Sequence, residues 1–133
     1  MATARHDRER GAAAVEFALI LPLLIMLVFG IIQFGVLFNR QQGLHAAARE
    51  GARIASLPNT NQTQIESRVT DALTGVSLSA TPTITITPNV TQPCRDRTGL
   101  TVVVEVEAAS TIEIPMWGTK SFNLSGRGEF RCE

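Results

Sequence analysis

The chain carries few of the residues that chemistry needs. Among 133 residues it has two histidines, two cysteines, no tyrosine and one lysine, Lys120. His6 lies near the N-terminus and His45 stands alone in an alanine-rich stretch, and the sequence places no serine, cysteine or carboxylate beside either. A nucleophile with its base cannot be assembled from these, so no catalytic residue is expected and the chain reads as a non-enzyme. Cys94 and Cys132 have neither CxxC spacing nor a neighbouring histidine, which argues against zinc, and no metal or cofactor is expected. Net charge is missing as well: twelve basic and twelve acidic side chains cancel, and no basic cluster is dense enough to be a nucleic-acid footprint. The other eleven basic residues are all arginine, a coding bias without functional content. There is no long internal repeat and no low-complexity linker. The one tryptophan, Trp117, stands between Pro115 and Gly118, and reads either as an exposed recognition residue or as a turn or core anchor.

Charge is absent altogether from residues 17 to 38. At 1.5 Å rise per residue this run reaches about 33 Å, enough to cross a bilayer core of roughly 30 Å. Leu, Ile, Val, Phe and Met occupy every face, whereas a buried helix of a soluble domain shows one apolar stripe. A secretory signal is the nearer rival, but its apolar region spans only about 7 to 15 residues. Arg5, Arg8 and Arg10 precede the run and Arg40, Arg49 and Arg53 follow it, so the charge rule for orientation is a tie. A short leader before the span and a larger domain after it favour the N-terminus in the cytoplasm and the C-terminal domain outside.

The remainder is enough for one small extracytoplasmic domain with a modest core. Both cysteines fall in it, and a disulfide between Cys94 and Cys132 is the natural expectation in an oxidising compartment. It would contribute about 3 to 4 kcal/mol by restricting the unfolded chain. The helical pattern continues past residue 38 to residue 57, where Pro58 stops it. Thr63 and Glu66 suggest a capping box opening a short helix over residues 64–73, with Gly75 ending it. Strand patterns follow at residues 83–87, at 100–106 with 111–114 extending or bending it, and at 120–131. Glu105 and Glu107 share one strand face. The expected fold class is α+β: a long N-terminal membrane-spanning helix, a short helix and a small antiparallel sheet. The divisions are a charged leader at 1–11, a long helix at 12–57 with its transmembrane part at 17–38, and a small αβ domain at 58–133.

The junction of leader and span carries the functional signal. Gly11 precedes Ala12-Ala13-Ala14-Val15, and Glu16 is a single carboxylate at the edge of the apolar run. An ionised glutamate costs about 2.5 to 3.5 kcal/mol at a bilayer centre and less near the interface, so its presence calls for a partner. Cleavage after Gly11 makes Ala12 the new N-terminus and Glu16 the fifth residue, leaving nine basic and ten acidic groups. The new amine and the carboxylate are then one helical turn apart, and between staggered neighbouring helices they supply a register signal. Gly43, Ala47, Gly51 and Ala55 recur every four residues, a small-residue strip that serves either an interface with another helix or packing against the chain's own domain. Pro22 removes the hydrogen bond to the Ala18 carbonyl and loosens the helix there.

This arrangement resembles the prepilins and pseudopilins of the type IV pilus superfamily, in which a charged leader ends in glycine and a glutamate follows five residues after the cut. Gly11, Glu16 and Phe17 are the matching residues. The stretch from Arg10 through Glu16, Phe17 and Pro22, with Phe29-Gly30-Ile31-Ile32-Gln33-Phe34-Gly35 and Ala47-Ala48-Arg49-Glu50-Gly51-Ala52-Arg53, is more closely similar to the TadE-like family of the tight-adherence (Flp) pilus machinery. The resemblance implies a pilin-like fold and a minor pilin or pseudopilin of a Tad (Flp, type IVc-like) pilus or related secretion machinery. It further implies processing by a prepilin peptidase between Gly11 and Ala12, residence in the bacterial inner membrane and a part in assembling adhesive pili, either within the extracellular filament or in the assembly platform. The implied partners are other pilins and pseudopilins, inner-membrane assembly proteins, the peptidase and membrane lipid. The alternative is an unprocessed single-pass anchor, scaffold or receptor with an extracytoplasmic binding domain.

Overall fold

Among the described residues five elements follow in order: α1 (Thr3–Ala55), α2 (Gln62–Ala72), β1 (Thr83–Thr87), β2 (Thr101–Ile114) and β3 (Gly118–Arg131). The computed structural model describes residues 3–88, 91–114 and 117–133, with side chains from residue 11 onward. Pro115 and the side chains of Arg5, Arg8 and Arg10, all used above, lie outside the described residues.

α1 is a single helix of 53 residues that passes through Pro22 and takes the leader into its first turns. Its apolar half is exposed on every side, and no part of its most apolar stretch is buried against the rest of the chain. Past the apolar run the character changes. Leu44, Ala47, Ala48, Ala52 and Ala55 are completely buried, at the 3-4 spacing that gathers residues on one face. Their small side chains set a close approach for whatever packs there. The helix stops at Ala55, where Ser56 Oγ donates to the Arg53 carbonyl (2.8 Å) and Pro58 follows. Beside that end, Arg53 donates to both Glu50 oxygens at 2.8 and 2.9 Å and holds the Glu50 carboxyl below its usual value. The pair is exposed and contributes little to stability.

α2 begins earlier than its sequence suggests, and a different capping box opens it. Asn61 Oδ1 accepts from the Gln64 amide (2.9 Å) and the Gln64 side chain accepts from the Asn61 amide (3.0 Å), so Asn61, not Thr63, is the N-cap. The Gln62 amide also donates to the Thr91 carbonyl (3.0 Å), a non-local bond that fixes the helix start. Ile65 and Val69 are its buried residues, and Gly75 (φ +91°) turns the chain away afterwards.

The sheet is antiparallel in the order β1-β2-β3. β2 is one uninterrupted strand of 14 residues, so the 100–106 and 111–114 patterns merge. Val102, Val104, Val106, Ala108 and Ser110 alternate inward, while Glu105 and Glu107 share the outer face with Thr83, Thr85 and Arg127 across the strands. Both helices cover the inner face, giving two layers with the core between them.

Cys94 and Cys132 are joined in a disulfide with Cα atoms 5.2 Å apart. It ties the connection after β1 to the end of β3, beside Ser56, whose carbonyl accepts from the Glu133 amide (3.1 Å). Closing a 38-residue separation stabilises by about 4 kcal/mol in the chain-entropy account. Replacing both cysteines by serine is therefore expected to lower the Tm of the domain by roughly 15 °C or more, measured by thermal unfolding of the full chain in detergent.

Candidate assembly site on the long helix

Two groups of residues divide α1. The first is the Gly11 to Pro22 segment. A side chain at Gly11 would meet nothing within 4 Å, so the Gly11–Ala12 peptide is open to an approaching protein. Glycine is also about 1 kcal/mol poorer than alanine in a helix, which makes local unwinding here less costly. Ala12 and Glu16 stand one turn apart on the same face. Glu16 is exposed and Phe17 is 58% exposed, with the apolar surface of α1 continuing from them. Here the structure presents surface, not a cavity.

The second group lies about 40 Å further along the helix, where α1 meets the sheet. Gly43, Ala47, Gly51 and Ala55 form one stripe, and the chain's own domain occupies it. A Cβ at Gly51 would lie 2.5 Å from Val69 Cγ2 and 3.2 Å from Val104 Cγ1, and one at Gly43 would lie 2.7 Å from Val76 Cγ2. Ala47 and Ala55 are fully buried in the same contact. Of the two uses that the sequence leaves open for this strip, the structure displays the internal one.

Sequence reasoning missed the residues that make this docking possible. β3 carries glycine at 126 and 128, both facing inward and buried. A Cβ at Gly126 would fall on the Leu44 carbonyl and 2.5 Å from the His45 amide nitrogen, and one at Gly128 would fall on the Ala48 carbonyl and 2.7 Å from Arg49 Cα. Helix backbone thus lies directly on strand backbone. The signal was present as two glycines at strand period 2, the pattern of a close backbone approach. Arg40 and Gln41 lock the same junction: Arg40 Nη1 donates to Ser110 Oγ (2.6 Å) and to the Thr111 carbonyl (3.0 Å), and Gln41 Nε2 donates to the Ser125 carbonyl (2.6 Å). His45 is half-buried beside them, its Nε2 3.1 Å from the Gln41 amide nitrogen.

Elsewhere an open groove at the junction of the helices is bordered by Leu57, Pro58, Thr60, Thr63, Ser67 and Arg68. Among the described residues no three His, Cys, Asp or Glu side chains gather as metal ligands. Trp117 is 64% exposed and closes the β2–β3 turn through its amide, which donates to the Ile114 carbonyl (3.0 Å).

Among the described residues, one exposed helix of membrane-crossing length continues without a break into a small α+β domain, the arrangement of a single-pass membrane protein with an extramembrane head. Residues 11–53 match the model of the TadE-like protein family, from the candidate cut site to the last turn of α1. That family implies a protein associated with the Tad pilus. No curated protein and no solved structure matches the chain.

Proposed function

We propose that the chain is a minor pilin or pseudopilin of a Tad (Flp) pilus, matured by a prepilin peptidase between Gly11 and Ala12 and inserted with its head outside the cytoplasmic membrane. The observation that carries this reading is the placement of Gly11 and Glu16, five residues apart, where the exposed apolar run of α1 begins. Cutting the peptide after Gly11 releases the charged leader and creates an amine on Ala12. In the bilayer the two opposite charges at the mature end are satisfied by a neighbouring subunit, and the apolar surface of α1 packs against other helices of its kind. Pilins, pseudopilins and inner-membrane assembly proteins are accordingly the partners.

N-terminal sequencing of the protein from native membranes, with and without the prepilin peptidase, tests the maturation. The expected result is a chain starting at Ala12 when the peptidase is present and at or near Met1 when it is deleted. A chain that begins near Met1 in both strains overturns the maturation claim.

An unprocessed anchor is the second reading, favoured by the small-residue strip being filled from within the chain. Sheared extracellular filaments separate the two: recovery of the protein there supports the subunit, and strict retention in membranes supports the anchor.

A further inference from the structure

The β2–β3 hairpin is longer than the core it covers. β3 and α1 run side by side in the same direction: Gly128 lies on Ala48, Gly126 on Leu44, and the Ser125 carbonyl accepts from Gln41. Each step back along β3 therefore descends toward the apolar half of α1. From Gly126 the strand continues to Gly118, about 26 Å at roughly 3.3 Å per residue. Only about 9 Å of helix separates Leu44 from Phe38, the end of the apolar run. A strand diverging from the helix by as much as about 45° still descends about 18 Å, which carries Gly118 below the level of Phe38.

Another part of the head reaches the same depth, since Gly75 and Ser77 border a groove with Ile32, Val36 and Asn39 of α1. Gln33 and Leu37 are half-buried at the same level of α1, unlike the exposed helix before them.

The side chains at this end suit lipid. Trp117 is 64% exposed and Phe122 43% exposed, Ile112 and Ile114 are half-buried, and Lys120 is exposed. Tryptophan settles at the headgroup level of a bilayer, and lysine lays its apolar stem along apolar surface while its ammonium reaches phosphate. Gly118 (φ +79°) supplies the tight turn that presents Trp117 at the extremity.

We propose that the start of β3 with Trp117 before it, residues 117–120, rests in the interfacial layer of the same bilayer that α1 crosses, with Trp117 among the headgroups and Lys120 on lipid phosphate. α1 and this segment are then two attachments to one membrane, and together they fix the depth of the head and its rotation about the helix. The proposal rests on α1 spanning the bilayer.

Trp117 is the sole tryptophan and there is no tyrosine, so intrinsic fluorescence has one reporter. The full chain is reconstituted in phosphatidylcholine–phosphatidylglycerol vesicles with and without brominated acyl chains. Expected are emission blue-shifted from that of the guanidinium-unfolded chain, and stronger quenching by bromines near the headgroup end than by bromines near the chain terminus. Unshifted emission without bromolipid quenching, in protein that floats with the vesicles, overturns the proposal while leaving the span intact. A blue shift that bromolipids do not quench also overturns it, since Trp117 is then covered by protein. Failure to float overturns both readings. As a positional control, Phe130→Trp in a Trp117→Phe background places the reporter at the far end of β3, where no quenching is expected. Equal quenching at both positions overturns the proposal, because the head would then lie flat on the membrane.

Discussion

Replacing Glu16 with glutamine is expected to abolish incorporation into pili while leaving membrane insertion and cleavage after Gly11 in place. The substitution keeps the size and shape of the side chain and removes only its charge. Insertion alone does not suffer, because a neutral side chain is less costly than a carboxylate beside a hydrocarbon core. The loss falls on pairing. Two unit charges about 4 Å apart attract by about 4 kcal/mol at an effective dielectric of 20, which corresponds to roughly a thousandfold in association. Immunoblotting of sheared filaments against membrane fractions reads the outcome, and N-terminal sequencing of the membrane form confirms that maturation is unaffected. Wild-type recovery in filaments would show that the Ala12 amine and the Glu16 carboxylate do not set the register of neighbouring helices.

Alanine at Gly126 is expected to unfold much of the head. The added methyl would land on the Leu44 carbonyl, which belongs to the hydrogen-bonded backbone of α1 and cannot rotate aside. Either the helix lifts from the sheet or the strand bends, and both open the contact that buries Val104, Val106 and Ala48. Overpacking of this kind costs about 3 kcal/mol or more. A domain of this size has a total stability of only about 4 to 11 kcal/mol, so the loss is a large share. Gly128→Ala should behave alike. Gly43→Ala should cost much less, since its new methyl meets the Val76 side chain, which can move. Limited proteolysis of the full chain in detergent, read as the cleavage rate of the head, orders the three variants. Equal resistance at Gly126 and Gly43 would contradict the close contact described above.

These two sites differ in how far the sequence reveals them. The span, β1 and the pairing of Cys94 with Cys132 were legible because each depends on local composition, on alternation over a few residues, or on there being only two cysteines. The start of α2 was not, because Thr63 and Glu66 fit the same local pattern as Asn61 and Gln64, and the bond from Gln62 to Thr91 that favours the second comes from elsewhere in the chain. β2 read as two pieces because Ala108, Ala109 and Ser110 have weak strand preference, while continuous pairing with Leu124, Asn123 and Phe122 keeps them extended. Gly126 and Gly128 were visible as residues but not as a saddle, since nothing near them in sequence names Leu44 and Ala48 as the occupants. Glu16 was the opposite case: its role was suggested by spacing alone, and the fold adds only that its surroundings are open.

α1 has no joint between the lipid and the head. The helix that begins at Thr3 still supplies Ala52 and Ala55 to the interior of the folded domain, with Arg40 and Gln41 riveting the sheet to it at the point of exit. A force that hoists or twists the membrane end is delivered to the sheet without slack, as through a drive shaft. Machinery that grips only the greasy stem would therefore steer the orientation of everything displayed above it.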